Sequence, residues 1–594
     1  MKLRSLFSVL LVVGWCVPVL PVRAAVVANP PLADLVDDQT ALALIVPSAP
    51  ALVKGWDASP FAKTWNDEQM VKFFAPLRQQ MQIDHWDEQS KAATGKTIRE
   101  LLALAKGGAI IALPSSFIAD IMESKIPPIL LAVEFGDNAA AFEKLAADAA
   151  SQNTNLRVET TNYAGILVHT STPPPSKNGA PVVPDVSAMC QGIWLFSPSY
   201  ARICAAIDAI KRGGLANGLG RSEAFLRAQK RTGETQLVGY GNFAALYPSL
   251  LNALTKALPP AGAAGGPPFT AEGLLKGLGL DVLHEAYYAV NFGAKETTIS
   301  GGLGWSDERG LVKVLAVGPG AAVRPEWASA KWISVASGKF DLRAAYVALE
   351  EVIEAINPQL AAQIQGEIKN TGAQMGIDLK RDLIGSLGSD LVSAVAMPAD
   401  ANPEQPPALD KLDQLFSLSL ENPEAFMKAV EAVKHTVFGD AVEQVFIKRD
   451  YLGQTLYTYN PPGPAGAPAE RGFTYAIANR TAFVAMGSPA IVETALQAMK
   501  EKRPVFWERT DVRAALTSAP NGANTVEVED MRVVVTSLLG MLGSLPLPAQ
   551  VQLVDAAAKP DFAHIARYWG LSSGYGVKEA KGFFSVNRIA NPLP

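Results

Sequence analysis

Ser90 to Thr97 reads SerLysAlaAlaThrGlyLysThr, close to a phosphate-binding loop. Such a loop needs a glycine where Ser90 stands and a strand where the polar run His85-Trp86-Asp87-Glu88-Gln89 stands. Glycines are what let backbone amides approach a phosphate, so the stretch predicts instead a helix start capped by Thr97. Gly570-Leu571-Ser572-Ser573-Gly574 matches the Gly-x-Ser-x-Gly pattern of a nucleophile elbow. The elbow requires a following helix and a later histidine; a Gly/aromatic strand follows, and His564 is the last histidine, so a turn is predicted.

Histidines are few and scattered: His85, His169, His284, His435 and His564. No two share ligand spacing, so neither a metal site nor a histidine-based triad is predicted, and no cofactor is implied. His85 reads as a loop residue. Glu527 and Glu529, in ThrValGluValGluAsp, fall on one face of a strand. That pair could hold a cation or do acid/base work, or it could be charge that guards a solvent-facing strand. The matching first-half segment, Val238 to Gly241, has no acid, so the fold does not demand one. No residue is assigned as catalytic.

Aromatic residues gather towards the end of each half. Tyr240, Tyr247, Tyr287, Trp305 and Trp569 read either as the lining of an apolar ligand groove or as core. With Glu527 and Glu529 they are the candidate ligand-binding residues.

Elements long enough to position these groups require a large core. The chain has 594 residues, 49% hydrophobic and 18% charged, which fits two or more globular domains. Lys2 and Arg4 precede an apolar run from Leu6 to Val17, and Val22-Arg23-Ala24 supplies small residues at the cleavage positions, so residues 1–24 read as a signal peptide cut after Ala24. Trp15 stands before Cys16 where a lipoprotein signal needs a small residue, which argues against lipidation. The expected site is the periplasm or the exterior, with no membrane span after cleavage. Cleavage removes three basic residues from 52 and leaves 57 acidic ones, a net charge of −8. A mildly acidic chain without a basic block argues against nucleic acid and anionic headgroups as partners. Cys190 and Cys204 remain, and whether they pair is open.

The chain also repeats itself. Met189 to Arg212 and Arg471 to Glu501 each read as strand, turn, strand, Ser-Pro, helix. Phe142 and Phe426 are 284 residues apart, Tyr163 and Tyr451 are 288 apart, and Pro198 and Pro489 are 291 apart. Both hairpins run into Pro/Gly-rich segments, Pro173 to Pro184 and Pro461 to Pro468, while Pro259 to Pro268 reads as a flexible loop. Asn479-Arg480 reads as a hairpin turn rather than a glycosylation sequon. Near-constant offsets predict a tandem duplication, with copies at about 36–325 and 330–594. Each copy alternates helices with hairpins, so the expected fold is α+β with a mixed or antiparallel sheet. The first copy is expected to close on strands at Ala286 to Trp305 and Leu311 to Val317.

The Ser-Pro hairpin motif, Val46-Pro47-Ser48-Ala49-Pro50 and GlyIleAspLeuLysArgAspLeuIleGlySerLeuGly at Gly376 to Gly388 resemble a family of exported bacterial proteins of unknown function. The resemblance implies no reaction and supplies no site residues. The expected function is a non-catalytic, exported binding or scaffold module of the cell envelope. The alternatives are a carrier or chaperone for an apolar envelope ligand and a hydrolase built on carboxylates.

Overall fold

The computed structural model describes residues 31–152, 157–174, 183–259, 269–315, 317–401, 407–459, 472–545 and 552–591. The signal peptide expected at 1–24 lies outside them, as do the second Pro/Gly-rich segment and most of the first and of the loop at Pro259 to Pro268. The chain divides into two compact units. The first takes the described residues within Met1–Ala257, Leu283–Gly304 and Ala549–Ala558; the second takes those within Leu258–Val282, Trp305–Pro548 and Lys559–Pro594.

In the first unit the strands are β1 (Thr40–Val46), β2 (Ala109–Pro114), β3 (Leu130–Glu134), β4 (Arg157–Tyr163), β5 (Ile166–Thr172), β6 (Asp185–Cys190), β7 (Ile193–Ser197), β8 (Leu237–Asn242), β9 (Leu283–Phe292) and β10 (Glu296–Trp305). They pair in the order β10-β9-β8-β1-β2-β3-β7-β6-β5-β4, and every register from β9 to β4 is antiparallel. The second unit holds β11 (Ser334–Lys339), β12 (Leu387–Ala396), β13 (Asp413–Leu420), β14 (Phe446–Tyr451), β15 (Gln454–Tyr459), β16 (Phe473–Ala478), β17 (Thr481–Met486), β18 (Thr525–Asp530), β19 (Leu571–Glu579) and β20 (Gly582–Ala590). Its order is β20-β19-β18-β11-β12-β13-β17-β16-β15-β14, again antiparallel. The fold is α+β, as the alternation of hairpins and helices predicts.

Local chemistry sets the turns and caps. Asn479 and Arg480 both take positive φ, the left-handed pair that a two-residue hairpin between β16 and β17 needs. Thr97 caps the helix Ile98–Leu102 in a capping box with Glu100, which accounts for the Gly-Lys-Thr string without a phosphate. Ser572 and Ser573 lie inside β19 and are buried, so the Gly-x-Ser-x-Gly string is strand rather than the expected turn. His85 sits in the helix Ile83–Thr94, not in a loop, and its Nε2 lies 2.8 Å from Gln89 Nε2, one helical turn on. Leu311–Val314 forms a helical turn where a strand was expected. There Lys313 pairs with Glu351 of the helix Leu342–Ile356 at 2.8 Å, and packing on that helix overrides the β-branched composition. Cys190 and Cys204 are buried free thiols.

One face of the second unit's sheet is closed by helix. Val335, Leu415, Phe483, Ala485, Val526 and Val528 form a core with Ile491, Val492, Ala495 and Leu496 of the helix Ala490–Lys500. The opposite face is closed only in part. Leu418, Ile477 and Ala482 meet Leu342 and Phe426 there. Phe416, Val484 and Met486 on the same face stay 43%, 37% and 38% exposed. Among the described residues no helix is long and apolar enough to cross a membrane.

Candidate functional site: an aromatic pocket holding a buried lysine

The helix Pro423–Phe438 builds one wall of the site. Asn422 caps it by accepting a hydrogen bond from the Ala425 amide, Pro423 opens its first turn, and Gly439 with positive φ ends it. Phe426, Val430, Lys434 and Phe438 recur every fourth residue and therefore share a face. Three of the four are apolar; Lys434 occupies a core position and is only 5% exposed. A buried ammonium is costly unless it is paired.

Its partners come from the hairpin β14–β15 and from β16. Tyr457 stands directly opposite Tyr475, and Tyr459 opposite both Phe446 and Phe473. The rings of Tyr457 and Tyr475 stack at 4.7 Å with an angle of 7°. Lys434 Nζ lies 4.6 Å from the centroid of Tyr457, 4.7 Å from Phe446 and 5.6 Å from Tyr475, all within cation–π range. The same nitrogen donates to Glu431 Oε1 at 2.8 Å, to Glu431 Oε2 at 2.9 Å and to the Tyr475 hydroxyl at 3.0 Å. Burial, and then the Glu431 carboxylate beside it, pushes the Tyr475 phenol well above its ordinary pKa.

Beside this network lies a cavity of about 220 Å³. Phe426, Val430, Phe446, Phe473, Tyr475 and Val484 supply most of its wall, together with Lys434. Val484 connects it to the exposed apolar strip, since Val484 stands opposite Phe416 on β13 and two residues before Met486 on β17. The arrangement can take an apolar group, and it leaves no charge in the wall uncompensated.

The seven residues proposed from sequence lie elsewhere. Tyr240 and Tyr287 are brought together in the first unit, directly opposite on β8 and β9 and both buried. Burial, with Glu285 nearby, pushes the Tyr240 phenol up to about 12. Glu285 itself is buried and meets Arg227 Nη2 at 3.4 Å. Tyr247 is half-buried on the helix Phe243–Ala257. Trp305, the last residue of β10, and Trp569 are buried. Glu527 and Glu529 do share a face of β18; Glu527 Oε1 accepts from Asn587 Nδ2 at 3.0 Å, and Asn587 in turn accepts from Ser572. Burial, then the neighbouring Glu527 charge, raises the Glu529 pKa. None of the seven is among the residues that line the cavity. Among the described residues no group of three or more His, Cys, Asp or Glu is placed to hold a metal ion.

No protein-family model matches the chain. No curated protein matches it. Among solved structures it is similar to crystal form III of TP0453, with 13% identity and a TM-score of 0.22 over 44% of this chain and 77% of that one. Crystal form IV of TP0453 gives 11% and 0.23 over 45% and 81%. Likeness at this level carries nothing about ligand or activity. The reading of the site therefore rests on its own geometry.

What sequence reasoning missed is Lys434. The signal was present: a lysine at the third position of a row otherwise made of Phe426, Val430 and Phe438. Such a residue is buried with a partner or the helix turns its row to solvent.

Proposed function

We propose that the chain is an exported cell-envelope protein without chemistry of its own, a binding module that seats an apolar ligand in the aromatic pocket of its second unit. The observation that carries this reading is the 220 Å³ cavity, walled by aromatic and aliphatic side chains. It opens through Val484 onto exposed Phe416 and Met486. A folded chain gains by burying such side chains, so a contiguous exposed set beside a formed cavity favours a binding role. A carrier that hands its ligand on within the envelope is the second reading, favoured by the same opening to solvent. Export rests on the first 24 residues of the sequence.

We also propose that the two units descend from one ancestral copy, with limits at about 36–325 and 330–594. Support comes from the identical strand order of the units and from near-constant residue offsets.

Displacement of a hydrophobic dye from the full mature chain tests the binding role. Saturable dye binding is expected, weakened at least about tenfold by Val484→Asp at the pocket mouth, with the unfolding midpoint little changed because Val484 is partly exposed. Absence of saturable binding, or a Val484→Asp protein that binds as the parent does, removes the reading.

A further inference from the structure

Three aromatic faces and a carboxylate around one point are the chemistry that recognises an alkylammonium ion. In the second unit that point is already occupied. Lys434 Nζ stands among Phe446, Tyr457 and Tyr475 at 4.6 to 5.6 Å, with both Glu431 oxygens and the Tyr475 hydroxyl in hydrogen-bond reach. We propose that Lys434 is a built-in occupant of an aromatic cation cage, and that by filling it Lys434 restricts the adjoining pocket to uncharged apolar ligands. The proposal rests on the pocket being a ligand seat and adds the ligand's class and the residue that selects it.

The geometry gives each part of this a cause. The lysine comes from the helix Pro423–Phe438, at a position whose row-mates Phe426 and Val430 line the cavity. Its ammonium is turned onto rings and carboxylate, so its charge is balanced by Glu431. A second cation in the cavity would meet the Lys434 ammonium in its wall, and both oxygens of Glu431 are already engaged by that ammonium. An anion would have to draw Lys434 away from a bidentate partner on its own helix and from three rings. A neutral group disturbs none of these contacts. At about 220 Å³ the pocket has room for a ring or a short alkyl chain but not for a whole lipid.

Calorimetric titration of the full chain with n-hexanol, hexylammonium and hexanoate tests the inference without any variant. Wild type is expected to bind hexanol at least about tenfold more tightly than either ion, tenfold being the least that about 1.4 kcal/mol of discrimination gives. Lys434→Ala, which vacates the cage, is expected to gain at least tenfold in hexylammonium affinity and to recover part of its thermal midpoint when that ion is added. Lys434→Met, which fills the space without charge, is expected to gain neither. Wild type that takes all three probes equally, or prefers an ion, overturns the inference and leaves the pocket standing. A folded Lys434→Ala protein that gains no hexylammonium affinity also overturns it. Wild type that binds none of the three removes the pocket reading and the inference together.

Discussion

The two units put different chemistry on the same strand order. Across the first unit a row of directly opposed residues runs Thr160, His169, Ser187, Phe196, Leu131, Ile111, Leu44, Gly239, Tyr288. Across the second the same path runs Lys448, Tyr457, Tyr475, Val484, Phe416, Ser393, Ala336, Glu527, Gly574. Strand by strand the positions correspond, yet all nine residues differ. Where the second unit stacks Tyr457 on Tyr475 beneath a lysine, the first pairs Thr160 with His169 at 3.0 Å and carries Ser187. Backbone register is maintained by ladder hydrogen bonds and by one apolar face, so side chains on the other face can differ without disturbing it. The pocket is thus a property of one unit's side chains, not of the fold.

If so, the largest energetic contrast between equivalent positions should fall at Phe446 and Val158, the residues that oppose Tyr459 and Ser171. Phe446 is 3% exposed and Val158 is 45% exposed. Phe446→Ala is expected to cost about 3–5 kcal/mol in chemical denaturation, as for other buried phenylalanines. Val158→Ala should stay within about 0.5 kcal/mol. Similar costs at the two positions would mean that the hairpins carry the same load and that the contrast is only decorative.

A smaller effect separates the charge of Lys434 from its bulk. Glu431→Ala removes the carboxylate that accepts from the buried ammonium and leaves the Tyr475 hydroxyl and the rings in contact with it; the expected cost is about 3 kcal/mol, the low end for a broken buried pair because the Glu431 side chain is 32% exposed. Lys434→Met keeps the length and removes the charge, and is expected to be neutral to within about 1 kcal/mol. Denaturation curves that rank the two the other way would show that the lysine, not its compensation, holds the helix Pro423–Phe438 in place.

How much of this could be read beforehand follows from the range of each interaction. The Asn479-Arg480 turn, the Thr97 cap and the strand at Thr40–Val46 depend on a few adjacent residues, and composition alone points to them. Spacing of two was enough to set Glu527 and Glu529 on one face of β18. The cage was not legible because it is assembled from the helix Pro423–Phe438 and from β14, β15 and β16, whose side chains meet only once three registers are fixed. Tyr240 and Tyr287 were singled out for their type, but that they stand face to face depends on the β8–β9 register. Leu311–Val314 shows the converse: its composition is that of a strand, and its contact with Leu342–Ile356 makes it helical.

The smallest expected contrast is one of pH. Glu527 and Glu529 occupy the positions that Gly239 and Gly241 hold in the first unit, opposite β11 and β1 respectively. Burial first, and the Glu527 charge second, raises the pKa of Glu529 in the folded chain. A raised carboxyl binds its proton more tightly folded than unfolded. Its contribution to stability is therefore present below the ordinary carboxylate range and lost as pH rises through the raised value. Glu529→Gln, which mimics the protonated form, should unfold at nearly the wild-type temperature at about pH 4 and above it at about pH 7, so that the gap opens with rising pH. The same scan on Gly241→Gln supplies the comparison, because no acid titrates there and any difference from wild type should be flat in pH. A Glu529→Gln gap that is flat, or that closes as pH rises, would mean that the acid is held by a favourable partner rather than penalised by burial, and that the second unit selected it for something other than tolerance.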